Sequence, residues 1–263
     1  MTERQYIHLS IENRVATVTI DHPPANAFNT QVMTELGDAF DELTDNDEVK
    51  VIIITGAGQL FVAGADINEI YELKDKPEEA AAFIRQGQQT FLKIERSEKP
   101  VIAALNGRFA LGGGLELAMA CHIRIAEDGL RLGQPEINLG LLPGWGGTQR
   151  LSRIVGKGRA LEMILTGDAV TAQEAYRMGL VNKVVPTGAV IKEAQGLARK
   201  LVTTRSKLPM AAAIRAVNQG LEQNLEDALE TEAQQFVSLA GSEDTEEGLK
   251  AFLEKRKPAF KDK

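Results

Sequence analysis

The sequence predicts an α/β protein in which strand–helix units are followed by helices alone. Residues 49–55 are nearly all β-branched and residues 101–105 are an apolar run, which is typical of buried strands. Each run is followed by a loop rich in glycine and alanine and then by the start of a helix, and this recurring unit indicates a weak internal repeat. After Pro186 only helical patterns remain. We therefore expect a strand-containing core over residues 1–200 and a helical region over residues 201–263.

The N-terminal elements follow from periodicity and turn residues. Residues 6–11 and 15–20 are β-branched and alternate around a polar turn, which predicts a β-hairpin. Asn29 or Thr30 is a suitable cap for the helix that follows. The apolar stripe of that helix is formed by Val32, Leu36, Phe40 and Leu43. Another helix is expected to begin near Asp66, and a long helix spans about residues 77–97.

The remaining elements are predicted from the second half of the chain. Residues 121–126 and 181–185 are strand candidates, and the Thr171-Ala172-Gln173-Glu174 segment is a capping box that opens a short helix. Four further helices are predicted over residues 194–202, 210–217, 221–239 and 247–252.

Composition excludes several classes of protein. The 263 residues are 43% hydrophobic and carry a net charge of −7 without a concentrated basic patch, which argues against nucleic acid as the main partner. The single cysteine, Cys121, excludes an internal disulfide and a multi-cysteine metal site. No apolar leader or membrane-length apolar run is seen, so we expect a cytoplasmic protein without a membrane partner.

Residues 106–150 contain the candidate site. Three glycines, Gly112 to Gly114, separate a buried strand from a buried helix, and they allow the backbone to approach a ligand closely. The first N–H groups of that helix have no intrahelical acceptor and lie at its positive end. An enzyme that stabilises a developing oxyanion needs a donor of this kind.

Two glutamates accompany the glycines. Glu116 lies in an otherwise apolar helix, where a buried carboxylate is costly unless it has a partner or a function. Glu136 follows Gly133-Gln134-Pro135 in a second loop, and two such carboxylates favour acid–base chemistry. The alternatives are that Glu116 caps a loop N–H or pairs with Arg124, and that Glu136 is only a loop charge.

Four motifs resemble the enoyl-CoA hydratase (crotonase) family, in order and in register over nearly the whole chain. They are Phe61-Val62-Ala63-Gly64-Ala65-Asp66-Ile67, Ala110-Leu111-Gly112-Gly113-Gly114-Leu115-Glu116-Leu117-Ala118, Gly133-Gln134-Pro135-Glu136-Ile137 and Leu142-Pro143-Gly144-Trp145-Gly146-Gly147-Thr148-Gln149-Arg150-Leu151. The resemblance implies a crotonase-like spiral of ββα units with a C-terminal helical trimerisation region, assembled as a homotrimer or homohexamer. It also implies a lyase of fatty acid β-oxidation that adds water, reversibly and syn, to the 2,3 double bond of a 2-trans-enoyl-CoA.

The resemblance also implies roles for individual residues. The N–H groups of Ala65 and Gly113 would form the oxyanion hole, Glu116 would activate water, and Glu136 would protonate C2. Coenzyme A is part of the substrate, so no cofactor and no metal are expected. The residues implied to bind substrate are Ala63, Asp66, Ile67, Asn68, Gly144, Phe252 and Lys255, the last two from a neighbouring subunit.

Two positions depart from the pattern of the family. Asn68 replaces a lysine that holds coenzyme A phosphates in many relatives, and Lys255 is a candidate to replace that contact. Trp145 is bulkier than the residue usual in this loop, so it either reshapes the acyl pocket or packs beneath the loop.

Hydration is not the only function compatible with this sequence. The same scaffold supports enoyl-CoA isomerisation, decarboxylation, 3-hydroxyacyl-CoA hydrolysis and methylglutaconyl-CoA hydration, but the presence of both glutamates favours a hydratase. RNA binding is disfavoured by the acidic charge and the lack of a basic stripe. A non-catalytic RNA-binding or CoA-binding protein would also leave the two glutamates without a purpose. There is no Gly-x-Ser-x-Gly or Gly-x-Gly-x-x-Gly motif, and His8, His22 and His122 follow no catalytic or metal spacing.

Overall fold

The computed structural model describes residues 4–263. The prediction that the chain has no apolar leader depends in part on residues 1–3, which lie outside the described residues. The strands are β1 Ile7–Glu12, β2 Val15–Ile20, β3 Val51–Gly56, β4 Val101–Leu105, β5 Phe109–Leu111, β6 Ile123–Glu127, β7 Arg131–Gly133, β8 Val170–Thr171 and β9 Lys183–Val185. The helices are α1 Thr30–Asp45, α2 Ile67–Glu72, α3 Pro77–Glu95, α4 Gly113–Ala120, α5 Gly147–Val155, α6 Lys157–Thr166, α7 Ala172–Arg177, α8 Val190–Thr204, α9 Lys207–Gly220, α10 Leu225–Val237 and α11 Glu243–Leu253, with a 3₁₀ helix at Pro135–Leu139.

A six-stranded sheet in the order β1-β2-β3-β4-β6-β9 forms the main layer. The predicted hairpin is confirmed, since β1 and β2 pair antiparallel, and every other neighbouring pair in this sheet is parallel. All six residues of β3 and all five of β4 are buried, as expected for strands with apolar residues on both faces.

A second sheet, in the order β5-β7-β8, explains the spiral. Successive turns of the chain place one strand in the large sheet and the next in the small one, first β4 and β5 and then β6 and β7. The predicted α/β spiral is therefore confirmed. The short strands β5, β7 and β8 were missed by the sequence analysis because two or three residues are too few to show a period.

Helices cover both faces of the large sheet. One core contains α1, α3 and α4 with Phe28, Phe40 and Phe91 buried among them. On the other face, α8 buries Val190, Ala194 and Ala198 against β3, β4 and β6. Because α8 continues to Thr204, it crosses the predicted boundary at residue 200, and the division into two regions stays a prediction.

The last residues of the chain are bonded to the core. Asp262 accepts hydrogen bonds from Nζ of Lys50 at 2.8 Å, from Arg14 at 2.6 Å and from the backbone N–H of Lys207 at 2.6 Å. The Lys50 and Asp262 side chains are only 2% and 6% exposed. This buried ion pair joins the C-terminus to the start of β3.

Some predicted boundaries were wrong in detail. Helix α10 begins at Leu225 and not at residue 221, because the Asn224 side chain accepts from the Asp227 N–H and caps it there. Helices α5 and α6 were missed, since each begins and ends beside a glycine and carries many polar residues. The capping box at Thr171 and Glu174 is confirmed, as is Asn29 as the cap of α1.

Candidate active site

Two glycine-containing loops meet at the edge of the small sheet. Val62 and Ala110 form a parallel β-bridge, and the Leu111 N–H donates to the Val62 carbonyl at 3.2 Å. This pairing holds the segment after Val62 beside the start of α4. A Cβ added at Gly112 would lie 3.7 Å from the α-carbon of Gly64, so the two loops touch.

Each loop carries a free backbone donor after a glycine of positive φ. Gly64 has φ 93° and precedes Ala65, and Gly112 has φ 52° and precedes Gly113. Within residues 4–263, neither the Ala65 N–H nor the Gly113 N–H donates to another protein group. Gly113 is the first residue of α4, where the helix itself offers no acceptor. Both N–H groups are therefore free to bind an oxygen atom.

Glu116 is buried on the first turn of α4 and is 1% exposed. Its Oε1 accepts hydrogen bonds from the N–H groups of Trp145 at 2.8 Å and Gly147 at 2.7 Å. The alternative pairing with Arg124 was wrong, because that guanidinium donates to the carbonyls of Leu180 and Cys121. Loop N–H groups thus hold one carboxylate oxygen, and Oε2 remains for other chemistry.

The pKa of Glu116 is raised from 4.5 to about 7. Burial is the largest cause, because it disfavours the charged form, and the nearby charge of Glu136 acts in the same direction. The hydrogen bonds from Gly147 and Trp145 oppose this shift. A carboxyl that titrates near neutrality is suited to exchange protons.

Glu136 lies on the 3₁₀ helix Pro135–Leu139, opposite the glycine loop. A Cβ added at Gly112 would be 2.8 Å from its Oε1, so a side chain at residue 112 would displace this carboxyl. The fully buried side-chain amide of Gln134 lies beside Glu136; with its NH₂ group turned towards the carboxyl, it donates to Oε1 at 3.1 Å and to Oε2 at 3.2 Å. Burial raises the pKa of Glu136 as well.

One cavity of about 420 Å³ collects these groups. Its lining includes both glutamates, Ala65 and Gly113, together with three more residues from the predicted set. Those three are Ala63, Ile67 and Gly144. The other predicted binding residues, Asp66, Asn68, Phe252 and Lys255, do not line this cavity.

The residues that do not line the cavity have other surroundings. The Asp66 carboxylate caps α2 by accepting from the Asn68 N–H at 2.9 Å. Phe252 is among the most exposed apolar residues and lies in α11. Their roles in binding stay predictions.

Sequence reasoning missed the groups that support the site. Arg150 forms an ion pair with Glu95 at 2.8 Å and donates to the Trp145 carbonyl at 2.9 Å. These bonds fix the loop whose N–H groups hold Glu116. Arg150 belongs to the Leu142–Leu151 motif, but nothing in that motif indicates a partner in α3.

The structure agrees with both interpretations of Trp145, packing beneath the loop and shaping of the pocket. The residue is 3% exposed, and its indole packs edge-on against Phe28, Phe83 and Phe91, at centroid distances of 5.9, 5.2 and 5.9 Å. The same residue lines the cavity beside Glu116. The indole thus packs beneath the loop and also shapes the pocket.

Residues 4–263 show neither a metal cluster nor a membrane-spanning helix. No group of three or more His, Cys, Asp or Glu side chains in this range is arranged to hold a metal ion. Across the same residues, no helix has the length and apolarity needed to cross a membrane.

Comparison with known proteins gives consistent results. Residues 10–263 match the family model described as enoyl-CoA hydratase/isomerase. The chain is 44% identical over 256 residues to a probable enoyl-CoA hydratase of Bacillus subtilis, covering 97% of this chain and 98% of the relative. It is also 44% identical over 259 residues to the short-chain-enoyl-CoA hydratase of Clostridium acetobutylicum, covering 97% of each. The crystal structure of an enoyl-CoA hydratase from Bacillus anthracis superposes with a TM-score of 0.93 at 35% identity, covering 98% of this chain and 100% of that one.

Proposed function

The chain belongs to the enoyl-CoA hydratase/isomerase family, and we propose that it adds water reversibly and syn to the 2,3 double bond of a 2-trans-enoyl-CoA, giving a 3-hydroxyacyl-CoA. One observation carries the proposal: two free N–H donors and two carboxyls of raised pKa line the same cavity. This arrangement suits a lyase of fatty acid metabolism that acts on a thioester.

The two N–H donors activate the substrate. Water adds at C3 only if negative charge moves onto the thioester oxygen as the new C–O bond forms. The N–H groups of Ala65 and Gly113 hold that oxygen and stabilise the resulting enolate. Removing one donor from an oxyanion hole typically lowers the rate about 100-fold to 1,000-fold.

The two glutamates move the protons. Glu116, held through Oε1, orients a water molecule and takes its proton as the oxygen attacks C3. Glu136 gives a proton to C2 when the enolate collapses, so its raised pKa serves the acid role. In dehydration the roles are reversed. Each positioned acid or base typically contributes about 10² to 10⁴ in rate.

Coenzyme A enters as part of the substrate, and the proposed reaction requires no further cofactor and no metal. The thioester itself polarises the double bond, and backbone dipoles stabilise the charge. Ala63, Asp66, Ile67 and Asn68 form the proposed path of the pantetheine and adenine. Lys255 is proposed to reach the nucleotide of a coenzyme A bound to a neighbouring subunit.

Assembly as a homotrimer or homohexamer is part of the proposal. Apolar side chains on the C-terminal helices are largely exposed in the single chain, and burying them against other subunits would remove that surface from water. They include Val217, Leu221, Leu225, Phe236, Phe252 and Leu253. The place in β-oxidation and the cytoplasmic location likewise stay predictions.

The test is the ultraviolet absorbance of crotonyl-CoA, which falls as the conjugated double bond is hydrated. The wild type should consume the signal rapidly. Glu116→Gln and Glu136→Gln should each lower kcat at least about 100-fold, because each removes a proton-transfer group. Glu222→Gln, at an exposed position beyond α9, is the matched control and should retain full activity.

A wild-type protein that binds acyl-CoA without hydrating any chain length would refute this function. Migration of the double bond in a 3-enoyl-CoA, with no hydration, would indicate an isomerase instead. Full activity in both catalytic-site variants would show that the glutamates do not move the protons.

A further inference from the structure

The indole of Trp145 takes no part in the proposed chemistry. Its backbone N–H holds Glu116, which any residue at this position except proline would supply. Its indole lines the cavity while being almost fully buried. A large side chain at the reacting end of a substrate cavity limits what fits there.

The indole is wedged between two helices at glycines. A Cβ added at Gly87 in α3 would clash with indole atoms Cδ1 and Nε1, and one added at Gly113 in α4 would lie 2.6 Å from Cζ3. Both helices therefore touch the ring directly through their backbones. The ring cannot move towards either helix without displacing it.

Aromatic side chains close the space around the ring. Phe28, Phe83 and Phe91 each meet the indole edge-on, with interplanar angles of 79°, 64° and 81°. Such a cluster is tightly packed and resists rearrangement. The indole is consequently a rigid part of the cavity wall and not a movable gate.

The wall continues beside the loop. A Cβ added at Gly144 would lie 2.6 Å from Cδ1 of Ile84, so Ile84 of α3 packs onto the loop next to Trp145. Phe83, Ile84 and Trp145 all line the cavity. Together they form a continuous apolar surface on the side where α3 meets the loop.

This surface lies close to the reacting carbons. Gly113 carries one proposed oxyanion donor, and its backbone lies directly against the indole. Glu116, the proposed base at C3, accepts a hydrogen bond from the backbone of the same tryptophan. An acyl chain that extends past C3 towards α3 therefore meets the ring within a few carbons.

We propose that the indole of Trp145 sets the upper length of the acyl chain and restricts efficient turnover to short-chain enoyl-CoA substrates. This inference rests on the proposed hydratase function. It assigns the choice of substrate to one side chain, which takes no part in proton transfer.

The test compares kcat/KM for 2-trans-enoyl-CoA substrates of four, six, eight and ten carbons. Wild type should prefer the four-carbon substrate. Trp145→Ala keeps the backbone N–H and removes the indole from the cavity wall. The ratio of kcat/KM for the eight-carbon substrate to that for the four-carbon substrate should therefore rise at least about tenfold. One methylene in an apolar pocket already changes the ratio of kcat/KM between two substrates about 10-fold to 200-fold. Trp145→Phe should raise this ratio by a smaller factor. Because it preserves more of the packing, it takes the place of Trp145→Ala if the alanine variant does not fold.

Phe40→Leu is the control, because Phe40 is fully buried in α1 and does not line the cavity. It should lower stability and leave the chain-length ratio within twofold of wild type. Folded Trp145→Ala and Trp145→Phe with unchanged ratios would overturn the inference, as would a wild type that prefers the ten-carbon substrate.

A binding measurement separates this failure from failure of the proposed function. Calorimetry with the saturated butyryl-CoA and octanoyl-CoA needs no turnover. Trp145→Ala, or Trp145→Phe in its place, should strengthen octanoyl-CoA binding relative to butyryl-CoA by at least about threefold, because each newly buried methylene favours binding. An unchanged ratio of affinities would overturn the inference even if wild type hydrates crotonyl-CoA, whereas a changed ratio without any hydration would refute only the hydratase function.

Discussion

Replacing Glu116 by glutamine should stabilise the folded protein above neutral pH while it removes the proposed base. The pKa of this carboxyl is raised from 4.5 to about 7, chiefly by burial. One pKa unit corresponds to about 1.4 kcal/mol, so keeping Glu116 ionised in the folded state costs on the order of 3 kcal/mol. Glutamine carries no charge, and its oxygen accepts from the same two loop N–H groups.

The sign of the effect depends on pH. Below the unfolded pKa of 4.5, Glu116 is protonated in both states and costs nothing. The cost grows as pH rises and is complete above about pH 7, where the folded carboxyl is also ionised. The gain from Glu116→Gln should therefore be about 3 kcal/mol at pH 8 and below about 1 kcal/mol at pH 5.

Urea unfolding followed by circular dichroism measures this difference. Protein concentration must be the same for both proteins, because assembly would add to apparent stability. The exposed Glu222→Gln variant should show no such pH-dependent gain. Equal stability of Glu116→Gln and wild type at pH 8, or an equal gain at both pH values, would refute the argument that burial of the charge is costly.

Three further predictions concern activity and stability. The kcat/KM for hydration should rise with pH through an apparent pKa of about 7 as Glu116 loses its proton; a rise centred near 4.5 would contradict this assignment. Gly112→Ala should lower kcat/KM at least about 100-fold, because the φ of Gly112 is 52° and the new Cβ would lie 2.8 Å from the Glu136 carboxyl. The control is Gly158→Ala, which should be fully active because the added methyl group would meet open space. Asp262→Asn should cost about 3 kcal/mol at pH 7 in urea unfolding, since it leaves the buried Lys50 without its negatively charged partner. Burial raises the pKa of Asp262, but the hydrogen bonds from Lys50, Lys207 and Arg14 lower this pKa overall. The contribution of Asp262 to the free energy of unfolding should therefore be complete above the ordinary pKa of 3.8 and be lost as the solution is acidified. A cost of Asp262→Asn that is independent of pH would contradict this account.

The elements with strong local signals were predicted from sequence. Strand β3 is a continuous apolar run, and α1 has both a capping residue and an apolar stripe. The short strands of the second sheet lack such signals, because β7 and β8 exist only through pairing with distant segments. Their tertiary partners, and not their local sequence, determine them.

In the candidate site, too, residues with a local sequence signal were predicted and long-range contacts were not. The glycines and Glu116 stand out in sequence, since a carboxylate in an apolar helix is costly unless it has a partner or a function. Sequence alone left open whether Glu116 binds a loop N–H or Arg124, and the fold decides for the N–H groups of Trp145 and Gly147. Long-range bonds such as that between Arg150 and Glu95 have no local pattern to reveal them.

The indole of Trp145, which lies between α3 and α4, is an intrinsic fluorescent probe of the cavity. Trp145 is the single tryptophan of the chain, so all tryptophan fluorescence originates at the wall of the cavity. Among residues 4–263 its Nε1 has no hydrogen-bond partner, and its surroundings are aromatic and apolar. Emission should consequently lie at short wavelength in the folded protein, respond when an acyl chain touches the ring, and shift to longer wavelength when water reaches this point of the core.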